Sequence, residues 1–187
     1  PSALLATATI YLDNPEAVVA LLPADHYIKE VQLFRQKLQA AAAAAYRFKK
    51  IIMFGVPPTS PATGYGYLHC PDIGFKNLQG ERFYTVSSFK EKPDLPTALD
   101  FIQSGEYYWN SGIFLWRADV FEESLRKYTP ELFSAWIKIL EALKKGNRQT
   151  LVRVFREPPV QSIDYALIEK VRGSLMARGD FGWSDLG

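Results

Sequence analysis

The apolar residues of this chain alternate between short continuous runs and longer stretches in which they recur every three or four positions. Val18-Val19-Ala20-Leu21-Leu22 and Ile51-Ile52-Met53-Phe54 are continuous runs, the mark of strands buried on both faces. Between them, Ile28, Val31, Phe34 and Leu38 precede an alanine tract, so residues 28–46 read as a helix. Strand, helix, strand predicts a parallel pair joined by a right-handed crossover. Residues 3–12 are apolar and helix-compatible, and Asn14-Pro15 breaks them. Further strands are expected at 84–89, 112–116 and 174–177. Further helices are expected at 95–104, closed by Gly105, at 118–128, at 131–145 and, briefly, at 161–170.

This pattern predicts one α/β domain over residues 1–187, Rossmann-like, with a mixed and mostly parallel sheet and helices on both faces. In such sheets ligands gather beyond the carboxyl ends of the strands. The run from Pro1 to Ala8 reads as the middle of a helix and 183–187 as a turn leading onward, so both ends are expected to be cuts.

Composition narrows the classes. With 48% hydrophobic and 22% charged residues the chain can bury a full core and lacks the signature of disorder. A net charge of +2 implies no nucleic-acid partner, so an anionic ligand must be held by local groups. No apolar run has the length of a membrane span, and none reads as a signal peptide. The single cysteine, Cys70, cannot form an internal disulfide and reads as a buried thiol, which suits a cytoplasmic location.

Candidate chemistry lies where polar residues adjoin expected strands. Asp25 follows the first run, where it could hold a divalent cation through oxygen or cap the next helix. Asp185, flanked by Gly182 and Gly187, is a second carboxylate for that cation or an ordinary turn residue. Glu91 could accept from sugar hydroxyls and Lys92 could pair with a phosphate, or the two are an exposed charge pair. Asn110-Ser111-Gly112 offers an amide and a close backbone, or is a turn entering a strand. Gly64 and Gly66 could let backbone approach a ligand. His26 reads as structural, since no nucleophile with a base partner stands near it in sequence.

Taken together, six segments are more specific than any one of them. Leu22-Pro23-Ala24-Asp25-His26, Pro61-Ala62-Thr63-Gly64-Tyr65-Gly66-Tyr67, Phe89-Lys90-Glu91-Lys92-Pro93, Tyr108-Trp109-Asn110-Ser111-Gly112-Ile113-Phe114, Ser162-Ile163-Asp164-Tyr165-Ala166 and Gly182-Trp183-Ser184-Asp185-Leu186-Gly187 follow in that order. The series resembles the bacterial-type mannose-1-phosphate guanylyltransferases, within the wider sugar nucleotidyltransferases. The resemblance implies transfer of GMP from GTP to mannose 1-phosphate, giving GDP-mannose and pyrophosphate, with Mg²⁺ as cofactor. It implies metal binding by Asp25 and Asp185, catalytic roles for Asp25, Lys92 and Asp185, and substrate contacts from Gly66, Glu91, Lys92, Asn110 and Gly112. It leaves room for a homo-oligomer. Two alternatives stay open: another sugar-1-phosphate nucleotidyltransferase, or a non-catalytic sugar-nucleotide-binding regulator. The family's glycine-rich nucleotide loop and carboxyl-terminal region have no counterpart in these residues, so the 187-residue piece alone is expected to be inactive.

Overall fold

The computed structural model describes residues 1–158 and 160–186. In chain order the helices are α1 (Ser2–Asp13), α2 (Val31–Phe48), α3 (Leu95–Ser104), α4 (Ala118–Tyr128), α5 (Pro130–Lys144), α6 (Arg148–Arg156) and α7 (Ile163–Ala166). The strands are β1 (Val18–Leu21), β2 (His26–Ile28), β3 (Ile52–Val56), β4 (Gly66–His69), β5 (Phe75–Leu78), β6 (Glu81–Thr85), β7 (Ser88–Glu91), β8 (Tyr107–Arg117), β9 (Leu175–Arg178) and β10 (Trp183–Asp185). The chain divides into two compact units, Pro1–Val19 with Trp116–Val171, and Ala20–Leu115 with Arg172–Gly187.

The first unit is helical and built around aromatic rings. Trp116 stacks on Phe121 at 4.7 Å, and its indole N–H donates to the buried Thr7 hydroxyl at 3.2 Å. Trp136 meets the Tyr11 ring edge-on at 5.5 Å. Arg117 is nearly fully buried, where Asp119 and Glu16 supply the carboxylates that make burial of its charge tolerable.

The second unit holds most of an eight-stranded sheet ordered β5-β6-β9-β3-β8-β4-β7, with β1 also paired to β8. All five residues of β3 are buried, as its apolar run predicts. Phe34 of α2 packs on Phe54, while Ala98 of α3 packs with Val56, Tyr67 and Trp109. By strand alternation both helices therefore cover one face of the sheet. Asp94 caps α3 by accepting from the Thr97 N–H at 3.0 Å, and Gly105 closes it at φ +71°.

The mixed sheet and the α/β class are as expected, but the proportion of parallel pairing is reversed. β3 with β9 is parallel, whereas β3–β8, β4–β7, β4–β8, β5–β6 and β6–β9 are antiparallel. Local chain reversal without intervening helices accounts for β5–β6 and β4–β7, whereas the other antiparallel partners are brought together across helices. Gln79 and Gly80, at φ +53° and +80°, make the two-residue turn that joins β5 to β6. The expected parallel pair of β1 with β3 is absent, because each bonds instead to β8. Only Val19 of β1 is buried, so its apolar run does not mark a strand covered on both faces.

Residues 84–89, which read as one strand, are two. Val86 N–H donates to Ser174 O beside β9, and Ser87 N–H donates to His69 O at the end of β4. A flat sheet holds β9 and β4 about 14 Å apart, three strand spacings, which is further than two consecutive N–H groups can bridge. The sheet therefore curls, and the chain passes from β6 to β7 through that closure.

Two buried groups give simple tests of this packing. Lys37 on α2 places its ammonium 2.9 Å from Glu81 and 3.1 Å from Asp180. Burial disfavours its charge, but the two carboxylates outweigh burial and hold its pKa above the ordinary 10.5. A raised folded-state pKa means the contribution is present at neutral pH and lost as pH rises through that value. Lys37→Ala is expected to lower unfolding free energy by about 2 kcal/mol in a denaturant titration at pH 7. An unchanged midpoint would show the cluster to be decorative. Cys70 is buried, and burial pushes its thiol up to about 12. At pH 8 about one molecule in ten thousand then carries the thiolate. Iodoacetamide is expected to leave Cys70 unmodified unless denaturant is added, which a mass measurement reads directly.

Candidate functional site

The segments that carry the two candidate carboxylates come from opposite ends of the second unit and pair as a small ribbon. β2 and β10 pair antiparallel, with Asp185 opposite His26, and Leu186 N–H donates to Asp25 O at 3.3 Å. Asp25 is exposed and Asp185 half-buried. Asp185 lies in a strand, which corrects the turn reading. Gly187 lies outside the described residues. Asp25 does not cap α2, because β2 intervenes and the helix begins after Glu30.

The other candidates meet across three strands. Gly66 of β4 pairs with Glu91 of β7. Tyr67 pairs with Trp109, and the same register continued by one residue sets Gly66 across from Asn110. Side-chain alternation then puts Glu91, Gly66 and Asn110 on the face opposite Tyr67 and Trp109. Gly66 is required there by space. A Cβ at Gly66 would strike the Glu91 carboxylate and stand 2.8 Å from the Phe89 ring, whereas Gly64 has nothing within 4 Å.

Lys92 follows β7 at φ +44°, a left-handed backbone that a long side chain rarely adopts, and the buried Pro93 follows it. Its N–H is held by Tyr65 O at 3.2 Å. The backbone of Lys92 is thus fixed beside Glu91 by the bond to Tyr65 and the proline, and its side chain is exposed.

Asn110-Ser111-Gly112 is neither a turn nor the start of a strand. It is an irregularity within the 11-residue β8, where the pairing with β3 shifts between Met53 and Gly55. The buried Ser111 hydroxyl donates to Phe54 O at 2.8 Å and accepts from the Ile113 N–H at 3.3 Å, which satisfies backbone that the shift leaves unpaired. Asn110 Oδ1 accepts from the Gly112 N–H at 3.2 Å. Gly112 sits at φ +72°, and a Cβ there would lie 3.4 Å from Pro23 and 4.0 Å from His26. The irregularity thus rests against the loop that carries Asp25.

A line of rings ties the two halves together. Trp109 meets Tyr65 at 5.1 Å, Tyr65 meets Trp183 at 5.6 Å, and Trp183 meets His26 at 5.3 Å. The Trp183 indole N–H also donates to His26 Nδ1 at 3.1 Å. That bond gives His26 the structural place read for it. Sequence reasoning assigns Tyr65 and Trp183 no place in the site. The strand period signals Trp183, two residues before Asp185, whereas Tyr65, one residue before Gly66, packs with Tyr67 and Trp109 on the opposite face.

Two carboxylates, Asp25 in the loop before β2 and Asp185 on β10, are hard oxygen donors. They suit a cation such as Mg²⁺ that takes one or two carboxylates and leaves other positions to water and phosphate. Among the described residues no group of three or more His, Cys, Asp or Glu could hold a metal by itself. No helix among them is long and apolar enough to cross a membrane.

Comparison with known proteins identifies the family. Residues 2–187 match the family described as nucleotidyl transferase. The xanthan biosynthesis protein XanB of Xanthomonas campestris pv. campestris is 38% identical over 189 residues, covering 100% of this chain and 39% of XanB. A putative mannose-1-phosphate guanylyltransferase of Vibrio cholerae serotype O1 is 37% identical, covering 100% of this chain and 39% of that protein. The mannose-1-phosphate guanylyltransferase of Escherichia coli K12 is 36% identical, covering 100% and 40%. The chain thus spans about two fifths of the length of these relatives. A crystal structure from Thermus thermophilus, described as a mannose-1-phosphate geranyltransferase, superposes with a TM-score of 0.82 at 29% identity. It covers 98% of this chain and 51% of its own.

Proposed function

The chain belongs to the nucleotidyl transferase family, and on that footing we propose that the protein transfers GMP from GTP to mannose 1-phosphate, releasing pyrophosphate. The observation that carries this reading is the meeting of Glu91, Gly66 and Asn110 across three strands beside the loop that bears Asp25. Relatives named as mannose-1-phosphate guanylyltransferases over the whole chain support the choice of sugar and base.

In this reading Glu91 accepts hydrogen bonds from ring hydroxyls, and Asn110 both donates and accepts. The absence of a side chain at Gly66 leaves the Glu91 carboxylate room to lie over the strand, from where it faces the sugar. Lys92, its backbone held by the bond to Tyr65 and by Pro93, pairs with the sugar phosphate. The phosphate oxygen then attacks the α-phosphorus of the nucleotide in line, and pyrophosphate leaves. No covalent bond to the protein is required, so these residues act by positioning and by charge. Asp25 and Asp185 would hold Mg²⁺, which when bound neutralises charge on the phosphates.

A substrate panel with the natural full-length protein, scored by pyrophosphate release, tests the specificity. Mannose 1-phosphate with GTP is expected to exceed other hexose 1-phosphate and nucleotide pairs by tenfold or more. A preference for another pair would keep the reaction class and move the specificity. Silence with every pair would favour a non-catalytic sugar-nucleotide binder.

A further inference from the structure

Away from the candidate site, at the far end of β4, three side chains stand in line. Ser87 Oγ lies 2.7 Å from His69 Nδ1, and Glu106 Oε2 lies 2.9 Å from His69 Nε2. Each residue is held by backbone pairing. Ser87 N–H donates to His69 O, Cys70 N–H donates to Glu106 O, and His69 pairs with Tyr107 across β4 and β8. The imidazole also stacks on the Tyr107 ring at 4.5 Å. The ring therefore has little freedom to turn away from either partner.

Glu106 accepts from Nε2 and so favours the tautomer with its proton there. Nδ1 is then an acceptor directed at the Ser87 hydroxyl, which is exposed. A hydroxyl with a base on it, and a carboxylate on the base, is the arrangement that makes serine nucleophilic. The Ser87 hydroxyl can also reach His69 O at 3.0 Å, but it has one proton, and the contact to Nδ1 is the shorter.

We propose that Ser87 is a base-activated nucleophile that accepts an acyl group from small activated esters, with His69 as base and Glu106 as the residue that positions it. Ser87 Oγ bonds to the carbonyl carbon while its proton passes to His69 Nδ1. The bond from that carbon to the leaving oxygen breaks, and the leaving group takes the proton. Water, deprotonated by the same nitrogen, then bonds to the acyl carbon, the bond from that carbon to Ser87 Oγ breaks, Oγ takes back the proton, and the acid leaves. The Ser87 N–H is already given to His69 O and cannot serve a developing oxyanion. The leaving group must therefore be a good one, which selects aryl or similarly activated esters over alkyl esters or amides. The ring and its partners lie at the surface, with His69 26% and Glu106 48% exposed, so the acyl group must be small enough to approach from solvent without a pocket.

The test treats the natural full-length protein at pH 8 with p-nitrophenyl acetate and, separately, with a fluorophosphonate, and maps the label by mass spectrometry. Label is expected on Ser87 and not on the neighbouring exposed Ser88. Ser87→Ala is expected to abolish it, and His69→Gln to slow it by about a hundredfold. Glu106→Gln is expected to slow it about tenfold, and to remove the single-tautomer signature of the imidazole ¹⁵N shifts. Label spread equally over Ser87, Ser88 and Ser104, or none above a denatured control, would overturn the proposal. So would labelling of Ser87 at an unchanged rate in His69→Gln. Mapping on the unmutated protein decides the matter even where a variant folds poorly, and it is independent of nucleotidyl transfer.

Discussion

Asp25→Asn in the natural full-length protein is expected to lower turnover by about a thousandfold, roughly 4 kcal/mol of transition-state stabilisation, and to leave the melting temperature within about 2 °C. The substitution keeps the shape of the side chain and removes only its charge. Asp25 is exposed, and the backbone bond from Leu186 N–H to its carbonyl is unaffected. Little folding energy is therefore at stake, whereas a carboxylate that holds a dication contributes fully to charge neutralisation. Asp185→Asn is expected to do the same, because Asp185 stands opposite His26 on the paired strand. The double variant should be little worse than either single, since removing one ligand already empties the site. The Mg²⁺ concentration for half-maximal rate should rise in both singles. Turnover within threefold of the native protein in either single would remove that residue from the metal.

Gly66→Ala has the next largest expected effect. The added Cβ would occupy space held by the Glu91 carboxylate and stand 2.8 Å from Phe89. Phe89 lies inside β7 and yields little, so Glu91 must swing away from the face it shares with Asn110. A fall of about a hundredfold in kcat/KM for the sugar phosphate is expected, with a loss of about 2 kcal/mol in stability from overpacking. Gly64→Ala supplies the control two residues away, since nothing lies within 4 Å of a Cβ there. It should behave as the native protein in both assays. Equal effects from the two substitutions would mean that the loop, and not the space over β4, sets the constraint.

The local elements were mostly legible from apolar period and punctuation. The helix at 95–104 has both its ends signalled, by Asp94 and Gly105, and 131–145 by the Thr129-Pro130 step and the lysines before Gly146, whereas 118–128 has only its end marked, by Thr129-Pro130. What could not be read was pairing. A continuous apolar run marks a buried strand at β3 but not at β1, and it names no neighbour, so β3 was legible and its antiparallel partner β8 was not. Alternation likewise continues through Val86 and Ser87 while the chain passes from β6 to β7, which hides the break. α6 is not among the expected helices, although Asn147 caps it by accepting from the Thr150 N–H. At the candidate site the residue types were visible in sequence, but their meeting depends on register. Nothing local says that Asp185 lies opposite His26, or that Gly66 stands across from Asn110.

The claim that this sheet edge serves nucleotidyl transfer is tested most directly by following the phosphorus. The natural full-length protein is given mannose 1-phosphate, Mg²⁺ and GTP labelled with ³²P at either the α or the γ position. With α label the radioactivity should appear in a sugar nucleotide, and with γ label it should appear only in pyrophosphate. Chelation of Mg²⁺ should stop both. Transfer of the γ label to the sugar, or no label in any sugar nucleotide, would contradict the account.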